Sequence, residues 1–205
     1  ILTIVGQRSE PARLSKPEAW TRSAVLGAAI VLLAGLGVSL FDATVGSRVI
    51  GLGMVALALW LSQFDIARRT VRQSGLTRYI AMCMLSGYAW LGVSGVLAIA
   101  FGPVTGGFQY DAVLHALFLG FVIAMIFGHA PIILPSVLQM PIKYRPIFYL
   151  HLVLLHASLA LRIVGDLGAM IEIRQWGGML NVIALLVFLF NTMRVLRASL
   201  TKKSA

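Results

Sequence analysis

Six stretches of mainly apolar residues, each long enough to cross a bilayer, dominate this 205-residue chain. A spanning helix needs roughly 20 such residues. They cover about Ser23 to Phe41, Ser47 to Phe64, Arg78 to Phe101, Ala112 to at least Leu134, Ile147 to Val164, and Trp176 to Met193. With 59% hydrophobic and 12% charged residues, a water-soluble domain of this size could not hide its apolar surface. The expectation is therefore an all-α, polytopic transmembrane bundle of about six helices.

The charges argue for a topology. All but three of the 17 Lys and Arg residues fall before the first segment, between segments two and three, between four and five, or after six. The exceptions are Arg48, Arg162 and Arg174. The positive-inside rule assigns the basic set to the cytoplasmic face. A formal charge of +10 would suggest nucleic acid in a soluble protein; here its placement points to lipid as the partner and no nucleic acid.

Organisation along the chain follows. Residues 1–22 read as the end of a preceding helix plus a cytoplasmic linker, 23–193 as the six-helix domain, and 194–205 as a basic tail. The opening Ile1-Leu2-Thr3-Ile4-Val5 precedes the polar Gln7, Arg8 and Glu10, the reverse of a signal peptide. The chain is thus expected to be the C-terminal part of a longer bundle. Short Asp42–Gly46 makes the first two segments a hairpin, and Gly102-Pro103 stops the third. Pro131 and Pro135 leave two courses for segment four: a kink with continuation to Met140, or an end near His129. Trp20, Trp60, Tyr79, Tyr110, Tyr144 and Trp176 fall near segment ends, where aromatic belts form. Gly35-x-Gly37, Gly51-x-Gly53 and Gly92-x-x-Gly95 mark faces for close helix approach.

The candidate chemistry lies in four histidines, His115, His129, His151 and His156, all inside segments four and five. Ionisable groups at membrane depth are costly and tend to be functional. His115 and His129 are 14 residues apart, so on a uniform helix they differ by only ~40° and lie ~21 Å apart along the axis. A tight hairpin continuing through the prolines sets His129 level with His156; an end near Pro131 sets it against His151. Facing neutral imidazoles can ligate haem iron, copper or zinc. The alternatives are hydrogen bonding between helices and a proton relay.

Arg162 shares the face of His151, and Asp166, Glu172, Arg174 and Asp111 lie nearby in sequence. Arg162 reads either as a partner for haem propionates or as a member of a mutual salt-bridge cluster. Met82-Cys83-Met84 reads as core packing, and Asn181 and Asn191 as cross-helix hydrogen-bonding groups. The sequence shows no phosphate-binding loop, Cys-x-x-Cys pair or nucleophile elbow, so soluble-enzyme chemistry has no visible home.

The stretch His115-Ala-Leu-Phe-Leu-Gly120, then Gly128-His129, then Leu161-Arg162-Ile163, resembles the NnrS family of polytopic membrane proteins. Ala130-Pro131 stands where that family carries Thr-Gly. The resemblance implies a bacterial inner-membrane protein with haem and/or copper, carried onto the matched His115, His129 and Arg162. Combined with the facing of segments four and five, the expectation is haem b and/or copper held by His129 with His156 or His151, with His115 as a second-site ligand and Arg162 beside the cofactor. The resemblance also implies a role in electron transfer or in handling nitric oxide or oxygen. The competing expectation is a non-catalytic accessory subunit packed against a larger respiratory or other membrane complex.

Overall fold

The computed structural model describes residues 1–6, 19–138 and 144–201. The described part is all-helical. After a short helical stretch at residues 2–6 come α1 (Ala19–Val38), α2 (Ala43–Phe64), the single turn α3 (Ala67–Thr70) and α4 (Gly75–Phe101). One long span then runs as α5 (Gly107–His115), a π-helical segment (Ala116–Ile123) and α6 (Ala124–Leu138). The α7 (Phe148–Leu167) and α8 (Ile171–Thr201) helices complete the chain. Among the described residues, six helices are long and apolar enough to cross a membrane, as expected.

Local chemistry explains where these helices differ from the sequence expectation. The Asp42 carboxylate accepts the Thr44 and Val45 backbone N–H groups at 2.8 and 3.0 Å, so α2 starts at Ala43. The carboxylate of Asp65 accepts the Ala67 N–H at 2.6 Å and the Tyr88 hydroxyl at 3.1 Å, turning the chain into α3. Helix α5 begins at Gly107, so the Gly-rich connection is shorter than expected. Helix α6 runs through both prolines to Leu138, which selects continuation over an early stop. The basic C-terminal stretch is helical to Thr201, extending α8 well past Met193.

The α1–α2 and α7–α8 hairpins flank α4, which packs against α2 on one side and the α5–α6 span on the other. Small residues allow these approaches. A Cβ on Gly51 would stand 2.6 Å from the Gly95 carbonyl, and one on Gly53 2.7 Å from the Leu32 backbone N. Gly37, by contrast, faces open space and marks no contact. In a lipid setting, close packing of this sort replaces the hydrophobic drive for association.

Two of the expected belt aromatics are internal. Trp60 is buried and donates to the Thr21 carbonyl at 2.8 Å. Tyr79 is completely buried, ringed by Tyr144, Phe148 and Tyr149. Trp20 and Trp176 are exposed, as expected. Cys83 and Met84 are core residues, and Asn181 accepts the Ser158 hydroxyl across α7–α8 at 2.6 Å.

Candidate functional site

The four histidines divide into two chemically distinct pairs. His115 and His129 each turn Nδ1 onto the carbonyl one helical turn earlier: Asp111 at 2.6 Å and Met125 at 2.7 Å. A carbonyl can only accept, so Nδ1 carries the proton in both rings. In each neutral imidazole the lone pair therefore lies on Nε2. Metal-ligating histidines show this pattern: a carbonyl fixes the tautomer and ring plane and raises the basicity of the opposite nitrogen.

His156 is fully engaged within the bundle. Trp90 Nε1–H donates to its Nδ1 at 2.9 Å, which forces the proton onto Nε2, and Nε2 donates to Ser86 Oγ at 2.8 Å. The Trp90 and His156 rings are stacked, with centroids 6.4 Å apart. Either nitrogen could reach an ion only by giving up one of these bonds. His151 is buried, with Nε2 at 2.9 Å from the Tyr79 hydroxyl. Its ring meets Phe127 edge-on with centroids 4.7 Å apart, and packs against Phe148 and Phe188.

These contacts set the depth of each ring. His151 lies level with Phe127 to Pro131, while His156 sits five residues further along α7, ~7.5 Å along the axis. His129 is thus matched in depth to His151 rather than His156, although α6 continues through the prolines. The expected ~40° offset between His115 and His129 also rested on a uniform helix. The π-helical segment between them widens the turn and interrupts that step. This eight-residue segment is longer than the usual single π turn and is packed tightly: a Cβ on Gly120 would collide with the Trp90 side chain.

His129 borders a cleft of 650 Å³ between α6 and α8, lined on α6 by Met125 and Ile133 and on α8 by Phe188, Thr192 and Met193, with Ile4 at its edge. That volume falls within the range of small-molecule and cofactor sites. Its lining is almost wholly apolar, with His129 and Thr192 as the polar side chains. Among the described residues, no three His, Cys, Asp or Glu side chains gather closely enough to hold a metal ion by themselves. Any metal held here would need few protein ligands, as a porphyrin iron does.

At the opposite end of the span, His115 stands beside a charged cluster that sequence reasoning identified only in part. Asp166 is buried, with Arg174 Nε 2.8 Å and Arg162 Nε 3.9 Å from its carboxylate. Asp111 pairs closely with Arg174 and lies 3.8 Å from Arg162. The Arg174 guanidinium also stacks over Phe108, 5.1 Å from the ring centroid. Glu172, expected as a partner, is exposed and outside the cluster; Asp111 takes its place. Because α7 and α8 approach so closely, a Cβ on Gly165 would meet the Arg174 backbone at 2.5 Å, and one on Gly177 the Arg162 backbone at 2.6 Å. Arg162 is thereby held by carboxylates of the chain itself.

Together, the six apolar helices, internal histidines and buried ion cluster define a polytopic helix bundle of the transmembrane type. The chain belongs to a family described as a domain of unknown function, DUF8744, whose model matches residues 1–197. No curated protein and no solved structure matches the chain.

Proposed function

We propose that this chain is an integral protein of the bacterial inner membrane, with its basic loops cytoplasmic, that binds haem b and/or copper and serves electron transfer or the handling of nitric oxide or oxygen. The observation that carries the reading is the shared tautomer of His115 and His129: each Nδ1–H is tied to its own helix, which puts the ring lone pair on Nε2, the nitrogen through which such a histidine ligates. His129 is the principal ligand, because a cleft of 650 Å³ adjoins it. The apolar walls suit a porphyrin face, and Met125 and Met193 bring thioether sulfurs that favour Cu(I) or low-spin iron. His115 is the second-site ligand. His151 and His156 act chiefly by positioning α4, α6 and α7.

When bound, such a group supplies one-electron chemistry or a coordination position for a diatomic gas. The chain's part is to hold imidazoles at fixed orientation, exclude water from the cleft and set the surrounding dielectric. Arg162 is oriented by Asp166 and Asp111 and contributes positive charge beside His115. Visible absorption and metal analysis of the purified full-length protein test the reading. A Soret band or stoichiometric copper that is lost in His129→Ala, and kept in His156→Gln, supports it. Protein lacking both, recovered in a stable complex with other membrane subunits, supports the accessory-subunit alternative instead.

A further inference from the structure

His151 poses a hydrogen-bonding problem whose solution identifies a second site. Pro131 lies four residues after Phe127 and has no N–H, so the Phe127 carbonyl loses its normal helical donor. The Tyr79 hydroxyl reaches that carbonyl at 3.4 Å and His151 Nε2 at 2.9 Å. The Cys83 thiol also hydrogen-bonds with Tyr79 and can donate to its oxygen, so the hydroxyl has one proton to share between the Phe127 carbonyl and His151 Nε2.

If Tyr79 donates to Nε2, the Phe127 carbonyl goes without and His151 Nδ1 becomes a buried N–H with no acceptor. If Tyr79 donates to Phe127, Nε2–H donates to Tyr79 and only the Nδ1 lone pair is left over. Orphaned buried donors are rarer than under-satisfied acceptors, which selects the second arrangement. Nδ1 has no hydrogen-bond partner among the described residues, and the residue is 1% exposed. The His151 side chain lines a cavity of 10 Å³, close to the space that one water needs. Thr192 lines that cavity and also the cleft beside His129, as do Ala130, Leu134 and Phe188.

We propose that this small cavity is a binding site for a single internal water, which donates to His151 Nδ1 and bonds the Thr192 hydroxyl. The water completes a hydrogen-bonded line from the Phe127 carbonyl through Tyr79 and His151 to the wall of the His129 cleft. It gives the largely apolar cleft a polar connection to Tyr79. It also secures the carbonyl that Pro131 leaves without its usual donor, because Tyr79 donates to Phe127 only while Nε2 keeps its proton. The site does not depend on whether His129 holds a metal.

Nitrogen-15 NMR of the full-length protein labelled at histidine, in detergent micelles, tests this without any cofactor readout. The His151 Nδ1 signal is identified by its loss in His151→Gln. It is expected at the shift of a hydrogen-bonded acceptor nitrogen, with a magnetisation-transfer cross-peak from His151 to water. Thr192→Val should move that signal toward the value of an unbonded ring nitrogen and weaken the cross-peak, while His156 signals stay put. A Nδ1 signal at the unbonded value in the parent protein, or one unchanged by Thr192→Val, overturns the proposal. Tyr79→Phe provides the second check: it should shift Nε2 of His151, and an unchanged Nε2 overturns the tautomer on which the site rests.

Discussion

Replacing Asp166 by Ala is the sharpest test of how the two ends of the α7–α8 hairpin are joined. The carboxylate is completely shielded and sits between Arg162 Nε at 3.9 Å and Arg174 Nε at 2.8 Å. Removing one partner of a buried ion pair costs about 3–5 kcal/mol, because the remaining charge stays desolvated. The two arginine side chains are 16% and 31% exposed, and Asp111 remains to pair with both. The expected loss is therefore at the low end, about 3 kcal/mol, or more than a hundredfold in the unfolding equilibrium. Unfolding in mixed micelles of rising denaturing-detergent fraction, followed by tryptophan fluorescence, measures it. The paired variant Asp166→Leu with Arg174→Met should lose less than Asp166→Ala alone, since it removes both charges from the protein interior. A loss under about 0.5 kcal/mol for Asp166→Ala would refute the reasoning and mark the pair as solvent-screened.

Other outcomes follow from single contacts. Gly120→Val should destabilise the bundle by about 1–3 kcal/mol through overpacking against Trp90, visible as a shift in tryptophan emission and a lower melting temperature. Trp90→Phe withdraws the donor to His156 Nδ1 and should cost about 1–3 kcal/mol, with the His156 NMR signals moving and those of His129 unmoved. Asn181→Ala removes one cross-helix bond to Ser158 and should cost only ~0.6 kcal/mol, the average for such contacts in membranes. Pro131→Ala restores an N–H that competes with Tyr79 for the Phe127 carbonyl, so the tyrosine–histidine hydrogen bond should shorten, read as a shift in the Tyr79 phenolic band in vibrational spectra.

Segment number, apolar length and helical class were all legible along the chain, because a run of about 20 apolar residues admits few structures besides a helix in lipid. The cap at Asp42 and the stop at Gly102 are local signals, and the cross-helix role of Asn181 follows from a lone amide in an apolar stretch. The candidate histidines were equally visible, since ionisable residues stand out against that background. Tertiary structure decided what each ring bonds to. Whether an imidazole keeps a nitrogen for an ion depends on what lies opposite it, and Trp90, Ser86 and Tyr79 are 66, 70 and 72 residues away from the rings they engage. The same holds for depth and rotation, because the π-helical segment at Ala116–Ile123 is not legible in residue spacing; Pro131 does announce a freed carbonyl at Phe127, but only the fold brings Tyr79 to it. Asp111 was grouped with Arg162 and Arg174 by sequence, but that it, rather than Glu172, pairs with Arg174 was decided by the packing of α5, α7 and α8. Periodicity is a property of one helix, and a site in a bundle is a property of at least two.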